Sequence, residues 1–313
     1  MTSHRIILDC DPGRDDALAI ALTLASPAEI ALLGITTVAG NVPLELTQRN
    51  ARFLCELCGR NDVPVYAGAD RPLLRALVTA EEVHGRSGLE GLDVDEPSMP
   101  LQDRHAVDFI AETLRASGDQ AITLVACGPL TNLAMVFRES PDVTVKIRRI
   151  VLMGGASRAG GNVTPTAEFN IHADPDAAAV VFACGRPITV FSLDATYQVL
   201  ASPEHAGRLE SLGGAPARRL ANLLRPFGKG AEARFGPDRT PLHDPCTVAW
   251  LLSPQLFAFQ PVGVAVETAG AHTLGATVVD WWGVTGQPPN ADWVTEADGN
   301  GVIDLLIERI ARL

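Results

Sequence analysis

The sequence predicts an α/β protein with a doubly wound, mostly parallel central sheet, helices on both faces, and a single domain spanning residues 1–313. Three observations carry the prediction. Short apolar, β-branched runs alternate with helix-length patterns for about the first 200 residues. Several of those runs end in Asp, Asn or Gly, as strands do where loops build a site. No Ser/Gly tract, charge block, low-complexity segment or internal repeat breaks the chain into two parts.

The strand candidates are 5–9, 30–38, 63–67, 121–126, 148–153 and 188–193, each bounded by Gly, Pro or polar clusters. Helical patterns lie between them at 15–26, 43–59, 103–117, 130–138 and 174–184. Strands joined through helices imply right-handed crossovers and a parallel sheet buried on both faces. Beyond residue 200 come helical stretches at 203–225 and 244–252, strand-like runs at 261–267 and 275–281, and a helix at 300–312. Two long irregular stretches, 68–102 and 154–173, read as lids or binding loops.

Composition narrows the partners. With a net charge of −12 the chain has no basic surface for a phosphate backbone, so nucleic acid is excluded and a small molecule or a cation is favoured. No stretch reaches the apolar length of a membrane span, and Met1-Thr2-Ser3-His4 leads straight into a strand without a signal core; the cytoplasm is the expected location. Six cysteines are too sparse for a disulfide framework in a chain of 313 residues. Cys55 and Cys58 form a C-x-x-C inside a helical pattern, with no second pair to complete a zinc set, and read as reduced, partly buried thiols.

The most informative segment is D-C-D-P-G-R-D-D, which places Asp9, Asp11, Asp15 and Asp16 directly after the first strand. Crowded carboxylates repel unless a cation neutralises them or some keep protons. An EF-hand fails, because Arg14 stands where Gly is needed and Ile20 where Glu is needed. A phosphatase with an aspartyl nucleophile would want Thr or Val where Gly13 stands. Helix-dipole placement explains Asp15 and Asp16 but not Asp9 and Asp11. A site for a hard divalent cation accounts for all four. His243-Asp244-Pro245 is by itself ordinary helix-start chemistry, and Glu168-Phe169-Asn170 and His84 are weak alone.

Taken in order, D-C-D-P-G-R-D-D, T-T-V-A-G-N, V-H-G-R-S-G-L, G-P-L-T-N-L-A, L-M-G-G, A-E-F-N and L-H-D-P-C resemble the calcium-dependent nucleoside hydrolases, from residue 5 to about 290. The resemblance implies cleavage of the N-glycosidic bond of ribonucleosides and a homo-oligomer, dimer or tetramer. It implies a Ca²⁺ site made by Asp11, Asp16, the carbonyl of Thr131, and Asp244, with Asp11 doubling as general base toward water. It places Asn41, Asn162, Glu168, Asn170 and Asp15 on the ribose, with Met153 beneath it. His243 and His84 match positions near the base, His243 helping the leaving group. Asp9 is expected to support the site without binding the ion. The chemistry agrees with these roles: an oxocarbenium-like transition state needs an activated water, a stabilised sugar cation and a protonated or hydrogen-bonded leaving base.

Purine-only relatives carry a tryptophan at the loop position held here by His84. The segments T-P-L-H-D-P-C-T-V-A-W-L-L and T-V-V-D-W-W-G-V-T-G resemble the pyrimidine-preferring bacterial enzymes. Trp281 and Trp282 are expected in the core or at the rim. Residues 226–240 should approach the base, with Phe227 and Phe235 as candidates to stack on it.

Overall fold

The structure, a computed structural model, describes residues 3–226 and 234–313. Strand β1 (His4–Cys10) leads through Pro12-Gly13 into α1 (Arg14–Leu24), and β2 (Ile30–Thr37) into α2 (Leu44–Leu57). After β3 (Val65–Ala67) come α3 (Glu81–His84) and α4 (Ala106–Arg115), then β4 (Ile122–Ala126), α5 (Thr131–Glu139) and β5 (Ile147–Met153). Next are α6 (Phe169–Ala173), α7 (Pro175–Phe182), β6 (Ile188–Phe191), α8 (Leu193–Thr196) and the short β7 (Leu200–Ala201). The remainder comprises α9 (Pro203–Leu212), α10 (Ala215–Leu220), β8 (Thr240–Pro241), α11 (Pro245–Leu252), β9 (Phe257–Val266), β10 (Thr277–Asp280), β11 (Ala291–Ala297) and α12 (Gly299–Ile310).

The main sheet has nine strands in the order β10-β9-β11-β6-β5-β4-β1-β2-β3. From β3 to β11 the pairings are parallel, while β9 is antiparallel to both β11 and β10. Alternation along the strands splits the core between the two faces. Ile6 and Leu8 of β1 join one apolar cluster with Leu18, Ile20, Leu54 and Leu306, whereas Ile7 joins the other with Ile110, Leu133 and Val181. Two-sided burial of the strands is what their unbroken apolar runs required.

Chain order reverses between β1 and β4, since β2 and β3 lie on one side and β5 and β6 on the other. Such a reversal opens a crevice at the strand C-termini, where ligands bind in open α/β sheets. Besides short helices and strands in the connections, the structure departs from the sequence expectations in the last third of the chain. The 203–225 stretch is two α-helices and a 3₁₀ turn, because Gly213-Gly214 interrupts it. Strand β11 was not anticipated, and it inserts between β6 and β9. Its polar Asp292, Thr295 and Glu296 mask the buried Ala291, Trp293 and Val294; Asp292 is ion-paired to Arg149 at 2.8 Å.

Candidate active site

The end of β1 delivers the first acids. Asp9 Oδ1 accepts from Thr36 Oγ1 at 2.6 Å and Asn132 Nδ2 at 2.8 Å, as a supporting group would. Asp11 is fully buried; its Oδ2 accepts from the Asn41 backbone N–H at 2.7 Å, while its Oδ1 has no hydrogen-bond partner. Gly40 and Gly128 flank it so closely that a Cβ on either would lie 2.1 or 2.6 Å from a carboxylate oxygen. Asp16, in the first turn of α1, accepts from the N–H groups of Gly13 (3.0 Å) and Asp11 (3.3 Å) and from Asn41 Nδ2 (3.1 Å). It therefore caps the helix and belongs to the acid cluster at once.

Asp244 closes the cluster from far along the chain. It precedes α11, but its backbone is helical and its side chain caps nothing. Its carboxylate turns instead to the first motif: one oxygen from each of Asp15, Asp16 and Asp244 lies within 4.8 Å of the others. Asp15, expected on the sugar, stands in this triad, and Asp11 lies next to Asp16 with its Oδ2 held by the Asn41 N–H and its Oδ1 unpartnered. Thr131 is buried at the start of α5, its hydroxyl donating to Asp174 Oδ2 at 2.7 Å.

Burial, with the neighbouring acids, pushes the carboxyls up. Asp16 is raised to about 7 by desolvation and by Asp15, and Asp11 and Asp244 are raised by the same causes. These residues fit a hard divalent cation. The donors are all oxygens, and Asp11 Oδ1 is a buried orphan. Ligand oxygens on one Ca²⁺ lie at most about 5 Å apart, which the 4.8 Å triad satisfies.

Above the acids is a cavity of about 650 Å³ lined by Asp15, Asn41, His84, Met153, Asn162, Glu168, Asn170, His243 and Asp244, among others. That volume suits a small ligand such as a nucleoside. Asp11, Asp16 and Thr131 do not line it. Glu168 caps α6, accepting from the N–H groups of Asn170 (2.9 Å), Ile171 (3.2 Å) and Gly155 (2.9 Å), yet burial still raises it to about 7. Asn170 Nδ2 donates to the carbonyls of Cys127 (2.7 Å) and Met153 (3.2 Å). Asn162 Oδ1 accepts from the Phe169 N–H at 3.0 Å, tying the 154–163 loop to α6.

The histidines stand together at another part of the wall. His84 Nδ1 accepts from the Arg14 backbone N–H at 3.0 Å, so the neutral ring carries its proton on Nε2. Gly13 makes that approach feasible: a Cβ there would lie 2.4 Å from His84 Nδ1 and 2.6 Å from Asn41 Nδ2. The Thr or Val of a phosphatase has no room. His243 Nδ1 is 2.8 Å from Thr196 Oγ1. Burial lowers both imidazoles, so both are neutral near pH 7.

Tyr197 and Cys127 also line the wall without having been singled out, and Arg234 lies there within the 226–240 stretch expected near the base. Arg234 lies 4.4 Å over the Tyr197 ring, donates to Tyr197 Oη at 3.0 Å, and reaches the carbonyls of Ala159 (2.6 Å) and Gly161 (3.2 Å). Phe235 lines the cavity and packs on Tyr197 at 4.8 Å, whereas Phe227 lies outside the described residues. Trp281 is half-buried against the core and donates to Ser157 Oγ at 3.0 Å, and Trp282 is 87% exposed; neither lines the cavity. Among the described residues no helix is long and apolar enough to cross a membrane.

Comparison with known proteins gives the same assignment from outside. Residues 6–304 match the family described as inosine-uridine preferring nucleoside hydrolase. Over 307 residues the chain is 46% identical to the pyrimidine-specific ribonucleoside hydrolase RihA of Citrobacter koseri, covering 98% of this chain and 97% of that one. Among solved structures, the purine-preferring ribonucleoside hydrolase from Gardnerella vaginalis aligns with a TM-score of 0.90 at 31% identity, covering 98% of both chains. The plant nucleoside hydrolase PpNRh1 aligns at 0.89 with 32% identity and 100% coverage of both. Agreement in sequence and backbone across nearly the whole length makes this chain a member of the inosine-uridine preferring nucleoside hydrolase family, and an N-ribohydrolase.

Proposed function

We propose that this chain is a Ca²⁺-dependent hydrolase of the N-glycosidic bond of pyrimidine ribonucleosides such as uridine and cytidine, releasing ribose and the free base. One observation carries the reading: a buried carboxylate cluster faces a nucleoside-sized cavity whose other walls hold Glu168, Asn170 and two neutral histidines. Asp15, Asp16 and Asp244, with Asp11 beside them, would hold the cation. When bound, it neutralises the cluster and lowers the pKa of water at the site.

The protein's own groups then divide the work. Asp11 has one oxygen fixed by Asn41 and the other unpartnered, so the second is available to take a proton from water. Asn41, Asn162, Glu168 and Asn170 hold the ribose hydroxyls, and the carboxylates around the ring stabilise its developing positive charge. Met153 forms the floor. His84, neutral and able to donate through Nε2, and His243, paired through Nδ1 with Thr196 Oγ1, hydrogen-bond the departing base. The guanidinium groups in the wall, Arg14 and Arg234, donate to backbone carbonyls, which favours a nucleoside over a phosphorylated substrate.

Pyrimidine preference is supported by the 46% identity to a pyrimidine-specific enzyme, and by His84 in place of a tryptophan. The decisive assay is kcat/KM across uridine, cytidine, inosine and guanosine, with and without a calcium chelator. Uridine and cytidine should lead, and chelation should abolish all turnover. Equal or higher kcat/KM for inosine would defeat the preference, and full activity in chelator would defeat the metal requirement.

A further inference from the structure

We propose that Arg14 is a positioning residue that joins the two segments bordering the histidine end of the cavity. Every other polar member of D-P-G-R-D-D has a duty at the acid cluster; Arg14 points away from it. Its backbone N–H, fixed at the first position of α1, donates to His84 Nδ1 at 3.0 Å. Its side chain crosses to two further segments. Nη1 donates to the Glu90 carbonyl in the loop after His84, and Nη2 donates to the carbonyls of Arg225 (2.7 Å) and Leu223 (3.4 Å).

These segments are distant in sequence and are not otherwise part of the sheet. The 84–91 loop is closed by its own bonds, His84 accepting from the Glu90 N–H at 3.0 Å and Gly85 from the Gly88 N–H at 3.0 Å. The other segment is the 3₁₀ turn Ala221–Leu224, whose C-terminal carbonyls need donors. Both supply cavity wall, through His84 and Leu223. A guanidinium is suited to this task because its planar fork presents several charged donors in different directions. A lysine offers a point charge on a flexible stem and cannot hold both segments in one geometry.

The inference rests on the hydrolase reading for its kinetic arm only. The test is hydrogen exchange of the full-length, calcium-saturated protein for wild type, Arg14→Lys and Arg14→Met, paired with uridine kinetics. Both variants should exchange faster in the 84–91 and 221–226 peptides together, with β1, β4 and β5 unchanged. KM should rise about tenfold or more, as expected from losing charge-assisted bonds, with kcat little altered. Faster exchange in only one segment, in neither, or throughout the sheet overturns the proposal. If wild type cleaves no ribonucleoside, the proposed function fails while the exchange result still decides the role of Arg14.

Discussion

The acid end and the histidine end of the cavity are built differently. The acids sit on strand ends and helix starts, buried, with oxygens fixed by backbone donors from Gly13, Asn41 and Asp11 itself. The histidine end is assembled from connecting segments: α3 for His84, the turn after α10 for Leu223, and the stretch around Arg234 and Phe235. On the proposed function, chemistry that every substrate shares would be placed on the rigid sheet, and recognition of a variable base would be left to loops, which tolerate change without disturbing the core.

Breaking the acid end should have the largest effect. Asp11→Ala removes the proposed base, and kcat should fall by roughly 10³-fold or more, with weaker calcium binding by calorimetry. Near-normal turnover in calcium-saturated Asp11→Ala would sink the mechanism. At the other end, His243→Ala should lower kcat by about 10²-fold while calcium affinity stays at the wild-type value; loss of the ion would erase the division between the ends.

Gly13→Ala probes the seam, because its methyl would strike both His84 and Asn41. We expect about a tenfold fall in kcat/KM, with kcat and KM both changed. A variant with wild-type constants would show that the two ends tolerate displacement. Arg234→Ala should be milder, raising KM for uridine about fivefold at constant kcat through loss of its hold on Tyr197. A fall in kcat alone would move Arg234 to the chemical end.

The smallest effect is a pH dependence. A carboxyl raised above its unfolded pKa, as Asp16 is from 3.8 to about 7, lends stability below the unfolded value that is lost as pH rises through 7. A cation reverses this by favouring the ionised form. The difference in Tm between calcium-loaded and chelated protein should therefore widen from pH 6 to pH 8, by about a few degrees. A gap that narrows with rising pH would show that the cluster is not the binding site. The neutral histidines act oppositely, losing stability as pH falls below 6.5.

The same contrast explains what could be read from the sequence. All six expected strands of the first 193 residues are present, because strands buried on both faces leave unbroken apolar runs. The acid end was legible because its residues crowd into one motif after a strand. Tyr197 left no such trace, and Arg234 was not singled out within the 226–240 stretch expected at the base: one follows a four-residue helix, the other sits in a segment without periodicity, and they meet only in the fold. Strand β11 was hidden by polar residues whose partners, Arg149 for Asp292, lie far off in sequence. That Asp15 stands with Asp16 and Asp244 was equally invisible, since spacing alone does not say which way a carboxylate turns.

Asp244 has one more consequence. The triad draws two members from the first helix and one from a helix start in the last quarter of the chain. A cation held there would act as a clasp between Asp15 and Asp244, closing a very long loop. A growing chain would acquire no such clasp until residue 244 had emerged and α11 had packed on α1, so ion retention would report that the molecule is finished as well as ready to work.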